Sequence, residues 1–196
     1  MMAGLPKIVQ ILGGIYLIKK KLLAGIGGMA LSLSLVGSVY AAPANTTDST
    51  VQKQLAEVRN ATTKYHDVTE ALKDGFVPEG ESVAVPGLGT MGIHYINYSR
   101  MGDGKIDKNE PECLLYVPTN NGGVKLVGVE YIVSVDEWAV AGHKVDGTEN
   151  PTVFGQVFEG PMDGHGPGEP RHFDKHVWLW HANPAGMFAQ FNPAIK

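Results

Sequence analysis

The chain has 196 residues, a formal net charge of −4 and one cysteine. An acidic chain has no electrostatic reason to bind nucleic acid, and it lacks the basic patch that attracts anionic lipid. One cysteine cannot form an intrachain disulfide, so the hydrophobic core must supply the stability, together with a bound metal if there is one.

The first 41 residues have the pattern of a secretory signal. Three lysines ending at Lys21 precede an apolar run over residues 22–39, and small residues precede a predicted cut after Ala41. An uncleaved membrane anchor is the alternative, because the run is nearly long enough to cross a bilayer. Residues 1–18 make the region before the lysines longer than is usual for a secretory signal. One interpretation is that the sequence has been read from a start site upstream of the true one. We therefore predict a secreted or periplasmic protein, without membrane attachment after cleavage.

Cleavage would leave residues 42–196, a length typical of one domain. Four lysines and no acidic residue lie in the signal, so its removal takes the formal net charge from −4 to −8. Residues 42–50 are small and polar and are predicted to form a flexible leader. Residues 51–196 are predicted to form a single globular domain.

A helix is predicted directly after the leader. Asp48 or Ser49 can cap its start, and Gly75 suits its end. Its core-facing positions recur in alternating steps of four and three, which is typical of an amphipathic helix. These positions are Val51, Leu55, Val58, Thr62, Tyr65, Thr69 and Leu72.

The rest of the domain has the pattern of hairpin-linked strands. Asn and Gly at residues 120–123 predict a tight turn, and Ser134 is placed to cap a short helix. Strands without regular helices between them predict an antiparallel sheet. The fold class is therefore α+β to mostly β, with an antiparallel sheet or partly closed barrel and one N-terminal amphipathic helix packed on it. The predicted strands cover residues 91–98, 113–117, 124–133, 152–158 and 171–181, with a Gly/Pro-rich loop at 160–170 and an irregular tail at 182–196.

The last predicted strand carries the most informative pattern. Alternation places His172, Asp174 and His176 on one face, followed on that face by Trp178 and Trp180. Two imidazoles flanking a carboxylate indicate a metal or catalytic cluster, with the apolar side chains of the two tryptophans next to it. The alternative is a core ladder in which the aspartate accepts hydrogen bonds from both imidazoles.

Other elements would have to complete such a site, because one ion needs three or four donors, usually from several elements. His94 and Glu130 each interrupt an apolar strand, where a buried polar group needs a partner. His165 lies in the loop before the last strand and could fold over the cluster. The preferred ligands are His94, Glu130, His172 and His176, with Asp174 as a fifth ligand or as the group that orients a histidine.

Imidazole and carboxylate donors without thiolate suit a divalent transition metal, and they do not distinguish Zn, Fe, Mn and Cu. Cys113 lies within an apolar strand and is interpreted as a small buried hydrophobic residue. An open coordination position would let the metal bind a small substrate or activate water, with Glu130 as ligand or as catalytic general base.

Seven short motifs are spread along the domain: DGFVP at residues 74–78, MGIHY at 91–95, LVGVEY at 126–131, FGQ at 154–156, GPM at 160–162, HxDxHVWLW at 172–180 and NPAGMF at 183–188. With these motifs the chain resembles an uncharacterised family of secreted bacterial domains. The resemblance covers most of residues 42–196 and implies secretion, but it implies no activity. The layout is also similar to that of cupins, although the chain lacks their His-x-His followed closely by Glu.

The sequence leaves three functions open. The first is a secreted or periplasmic metal-binding protein, with the reaction unknown if it is a small metalloenzyme. The second is a metal-free module that binds a small molecule or sugar in a pocket of aromatic side chains and histidines. The third is a structural or interaction domain, and the oligomeric state is left open. The predicted pocket residues are Tyr95, Tyr131, His165, Trp178 and Trp180.

Overall fold

The computed structural model describes residues 48–82, 84–164 and 169–195. The predicted signal at residues 1–41 and most of the predicted leader lie outside the described residues. The side chain of Asp48 accepts a hydrogen bond from the backbone N–H of Thr50 at 2.7 Å, which caps a helix that begins at Ser49. The last residues assigned to the leader therefore belong to this helix.

The helical segment consists of α1 (Ser49–Thr62), a 3₁₀ helix (Thr63–His66) and α2 (Val68–Lys73). The single predicted helix is divided at Asp67, whose backbone is extended. The carboxylate of Asp67 accepts a hydrogen bond from the backbone N–H of Thr69 at 2.9 Å, so it caps a new helix. The buried positions of the segment include Leu55, Val58, Tyr65 and Ala71.

Within the described residues, six strands form one open sheet in the order β1-β4-β5-β6-β10-β9, and every neighbouring pair is antiparallel. The prediction of an antiparallel sheet is confirmed, and this sheet does not close into a barrel because β1 and β9 are its two edges. Two small hairpins, β2-β3 and β7-β8, lie outside it. The strands are β1 (Val77–Glu79), β2 (Ala84–Val85), β3 (Gly89–Thr90), β4 (Ile93–Ile96), β5 (Cys113–Pro118), β6 (Val124–Ser134), β7 (Thr152–Val153), β8 (Gln156–Val157), β9 (Glu159–Met162) and β10 (His172–Val177).

Several element boundaries differ from the sequence prediction. Residues 152–158 form a hairpin instead of one strand, because Phe154 and Gly155 have positive φ values of 54° and 72° and turn the chain. The predicted loop at 160–170 begins inside β9. The short helix capped by Ser134 is α3 (Val135–Val140), with the Ser134 hydroxyl accepting from the backbone N–H of Glu137.

The main sheet has two differently covered faces. The helix face packs against α1 and α2 and carries the larger apolar cluster, which includes Tyr116, Tyr131 and Phe173. We call the opposite side the histidine face. Its smaller apolar cluster consists of Ile96, Cys113, Leu115, Val127, Ile132 and Trp178.

A β-bulge in β6 decides which face Glu130 occupies. The pairing of β5 with β6 skips one residue, Val127. Leu126 and Val129 both belong to the helix-face cluster although they are three positions apart, so the alternation changes phase across the bulge. Glu130 consequently lies on the histidine face, whereas uninterrupted alternation from Leu126 would place it on the helix face.

Candidate metal centre

Three strands each place one ligand-type side chain on the histidine face: His94 on β4, Glu130 on β6 and His176 on β10. The register sets His176 directly opposite Glu130, whereas β5 separates β4 from β6. One ligand atom of each residue lies within 4.8 Å of those of the other two. These three residues, which we call the central triad, are widely separated in sequence and are brought together by the sheet.

Glu130 lies between the two imidazoles. Its Oε2 is 3.2 Å from His94 Nε2, and its Oε1 is 3.6 Å from His176 Nδ1. The exposed fractions of the side chains are 10% for His94, 2% for Glu130 and 0% for His176, so any charge here must be compensated by a neighbour or an ion. Donors that bind one ion at about 2.0–2.2 Å are at most about 4.4 Å apart. Small side-chain shifts would therefore let all three bind the same ion.

The electrostatics of the central triad favour an ionised carboxylate. Burial raises the pKa of Glu130, but the charges of His176 and His94 together lower it further, so its pKa lies below the ordinary value. Burial lowers the pKa of His94, and Glu130 reverses this effect, so the pKa of His94 lies above its ordinary value. A metal cation would bind the neutral imidazole, so it would compete with a proton for His94.

Asp174 lies on the histidine face as a second buried carboxyl group. Its exposed fraction is 0%, and neither side-chain oxygen has a hydrogen-bond partner among the described residues. Burial, followed by the nearby carboxylates of Glu130 and Glu159, raises the pKa of Asp174 well above its ordinary value. Its oxygens are not among the ligand atoms of the central triad, which lie within 4.8 Å of one another.

His172 is the other predicted ligand that lies outside the central triad. It is buried at the start of β10, and its Nδ1 is 2.9 Å from the carbonyl oxygen of Pro170. Because a carbonyl oxygen only accepts, Nδ1 is the ring nitrogen that donates this hydrogen bond. The structure thus brings three of the five predicted ligands together and places the other two further along β10.

Two side chains of the histidine-face apolar cluster adjoin the central triad. Cys113 is paired with Glu130 across β5 and β6, and burial, then the Glu130 carboxylate, raises the pKa of its thiol well above the ordinary value. The ring of Trp178 is stacked with that of His176, with centroids 6.4 Å apart, and its indole N–H donates to the carbonyl of Ala189 at 2.6 Å. The position of Cys113 beside Glu130 could not be predicted, because it depends on the register of β5 and β6.

The predicted aromatic pocket is not assembled around the histidines. Tyr95, Tyr131 and Trp180 contribute to the helix-face cluster, and only Trp178 of the four rings packs on the histidine face. Period-two alternation places Tyr95 and Tyr131 opposite to the ligands on their own strands. Trp180 departs from the predicted alternation because β10 ends at Val177. His165 lies outside the described residues.

Trp180 instead lies beside the helical segment. Its ring meets that of His66 edge-on, with centroids 4.5 Å apart. It also lines a surface cavity of about 560 Å³, together with Arg59 and Asn60 of α1. Any ligand in this cavity would be on the other side of the sheet from the central triad.

Comparison with family models, curated proteins and solved structures finds no match to the chain. The resemblance to a family of secreted domains therefore stays a prediction. Across residues 48–82, 84–164 and 169–195, no helix combines the length and apolar character needed to span a membrane.

Proposed function

We propose that this is a secreted or periplasmic protein that binds a divalent transition metal through His94, Glu130 and His176. The observation that carries the proposal is the convergence of three buried donors from three strands within 4.8 Å. Their chemistry suits Zn, Fe, Mn or Cu, since each of these ions accepts imidazole nitrogen and carboxylate oxygen. The exported location rests on the signal pattern of residues 1–41.

Three protein donors would leave at least one coordination position for water or a small molecule. That arrangement suits a small metalloenzyme whose substrate is an unidentified small molecule. Glu130 contacts both histidines, which favours its role as a ligand. A general-base role would require Glu130 to turn one oxygen toward the substrate.

A purely structural role is the main competing function. The ion pair between His94 and Glu130 could compensate the buried charges without a metal. The aromatic-pocket alternative is weaker, because Trp178 lies on the opposite face from Tyr95, Tyr131 and Trp180. Metal analysis separates the metal-binding and structural roles.

The test is elemental analysis of the chain purified without a histidine tag and dialysed against zinc or another candidate ion. We expect bound metal in the wild type and its loss in His176→Gln, which removes one donor of the central triad. His143→Gln is the matched control because His143 is exposed and outside the triad. A folded wild type that retains no metal under any of these ions would contradict the proposal.

A further inference from the structure

The exposure of the central triad indicates the side from which an ion could reach it. The exposed fraction is 10% for the His94 side chain, against 2% for Glu130 and 0% for His176. Beside the triad, the apolar cluster of the histidine face consists of buried side chains. Packed apolar side chains exclude a charged ion. The open side of the triad is therefore the side of His94.

Glu79 lies next to His94 on this open side. In the pairing of β1 with β4, Glu79 is directly opposite His94. Directly opposed residues of antiparallel strands share one face of the sheet, with Cβ atoms about 4.5–5.5 Å apart. Because β1 is an edge of the main sheet, the half-buried Glu79 lies between His94 and the rim of the sheet. Its carboxylate is not one of the ligand atoms grouped within 4.8 Å, so it adjoins the triad without belonging to it.

A second acid, Glu169, acts on the same place. Burial lowers the pKa of His94, and the carboxylates of Glu130 and then Glu169 raise it. Burial and then hydrogen bonding to Glu79 raise the pKa of Tyr98 to about 12, and the charge of Glu169 adds to this rise. Two carboxylates are thus close to the exposed side of His94.

We propose that divalent cations reach the central triad past His94, drawn by an acidic entrance that consists of the carboxylates of Glu79 and Glu169. This inference rests on the proposed function, because it concerns the route to the ion site formed by His94, Glu130 and His176. A negative charge beside an opening concentrates cations there and speeds their association, and dissolved salt screens this effect. Glu79 would then change how fast the ion arrives without binding it in the final site.

The test is stopped-flow mixing of the metal-free, tag-free chain with Co²⁺, whose visible absorption reports binding to imidazole and carboxylate donors. At low ionic strength we expect Glu79→Gln to lower the association rate constant by roughly 3- to 10-fold, because one unit charge beside the path of a dication is removed. The difference should shrink at about 0.5 M salt, where the Debye length is only about 4 Å. A loss caused by altered packing would persist at high salt and would overturn the inference.

Glu57→Gln is the matched control, because it removes the same charge from the exposed surface of α1, on the helix face of the sheet. It should associate with Co²⁺ at close to the wild-type rate. Equal rates for the wild type and Glu79→Gln at low salt would overturn the inference and leave the proposed function intact. A wild type that binds neither Co²⁺ nor any ion of the metal analysis would overturn both.

Glu169→Gln gives a second measurement that does not depend on the folding of Glu79→Gln. It removes the other carboxylate of the acidic entrance, so we expect slower association at low salt, and the wild-type rate in this variant would overturn the inference. Glu79→Asp keeps the charge and should associate nearly as fast as the wild type. A rate as low as that of Glu79→Gln would attribute the effect to side-chain shape and would also overturn the acidic entrance.

Discussion

At the scale of single residues, the centre depends on one buried carboxylate held between two imidazoles. Glu130 is 2% exposed in its side chain and approaches both His94 and His176. Its negative charge favours the protonated form of His94 in the metal-free protein and would offset part of the charge of a bound dication. The same residue would therefore serve both states, and its charge is more important than its size.

Glu130→Gln tests this role of the charge. The substitution keeps the shape of the side chain but replaces a charged oxygen donor by a neutral amide. We expect the affinity for zinc to fall by at least about 100-fold, since even residues that only support a ligand contribute about 10- to 100-fold. Competition with a chelator of known affinity measures the change, and an unaltered affinity would exclude Glu130 as a ligand.

Glu112 is a further buried acid, and it does not belong to the central triad. It is 3% exposed, and its Oε2 accepts a hydrogen bond from the backbone N–H of Ile132 at 3.0 Å. Burial raises the pKa of Glu112 to about 8, and Glu137 adds to the rise whereas Arg100 opposes it. The folded protein therefore keeps this carboxyl protonated at pH values where the unfolded chain ionises it.

The sign of the resulting pH dependence follows from linkage. Stability due to Glu112 is fully present below the unfolded pKa of 4.5 and is lost as the pH rises toward the folded pKa of about 8. Glu112→Gln cannot ionise and should be more stable than the wild type above pH 8, by roughly 5 kcal/mol. Urea unfolding in chelator from pH 5 to 9 measures this difference. Parallel pH profiles for the two proteins would refute the prediction.

At the scale of elements, β6 is the strand that organises the site. Its bulge at Val127 places Glu130 on the histidine face, and the residue after the bulge is a glycine. A Cβ atom added at Gly128 would lie 2.6 Å from the carbonyl oxygen of Val177 on β10. The close approach of β6 and β10 therefore requires glycine here, and this approach also sets the spacing of Glu130 and His176.

Gly128→Ala should force β6 and β10 apart. We expect a loss of about 1–3 kcal/mol in the free energy of unfolding, as for other overpacked sites, together with weaker metal binding. Gly123→Ala is the control, because its added Cβ would meet only side-chain oxygens, Thr119 Oγ1 at 3.3 Å and Asn121 Oδ1 at 3.9 Å, and no backbone atom. Urea unfolding and chelator competition measure the two effects, and equal behaviour of both variants would contradict the argument.

The positions of the strands in the sequence were easier to predict than the face of the sheet on which each side chain lies. Apolar alternation and the Asn/Gly turn were sufficient to predict β5 and β6 to within one residue at each end. The phase change at Val127 has no comparable signal, since Leu126, Val127 and Val129 are equally apolar. His94, Glu130 and His176 could be proposed as ligands only because polar residues in apolar strands need partners. That His172 and Asp174 lie outside this triad could be learned only from the strand register, which the sequence does not give.

At the scale of the whole molecule, metal binding and folding should be coupled, because the triad joins strands that are distant in sequence. An ion that binds only the folded chain adds about 2.7 kcal/mol of stability when its free concentration is 100 times Kd. We expect chelation to lower the melting temperature by roughly 5–10 °C for a chain of this size. Calorimetry with and without chelator measures this shift. His176→Gln should show none, and an equal shift in that variant would place the ion elsewhere.

The tail was predicted to be irregular. Residues 182–195, the part of it that the structure describes, contain no helix or strand, yet they are fixed at several points. Trp178 donates hydrogen bonds to the carbonyls of Met187 and Ala189, while Asn192 forms an isolated bridge with Thr90, the last residue of β3. Ordered ends resist peptidases when their backbone is tied down in this way. Removal of Ala189 and the residues after it would break the hydrogen bond from the indole of Trp178, the ring that is stacked with His176. Truncation of the tail should therefore loosen the packing around His176 even though it removes no residue of the central triad.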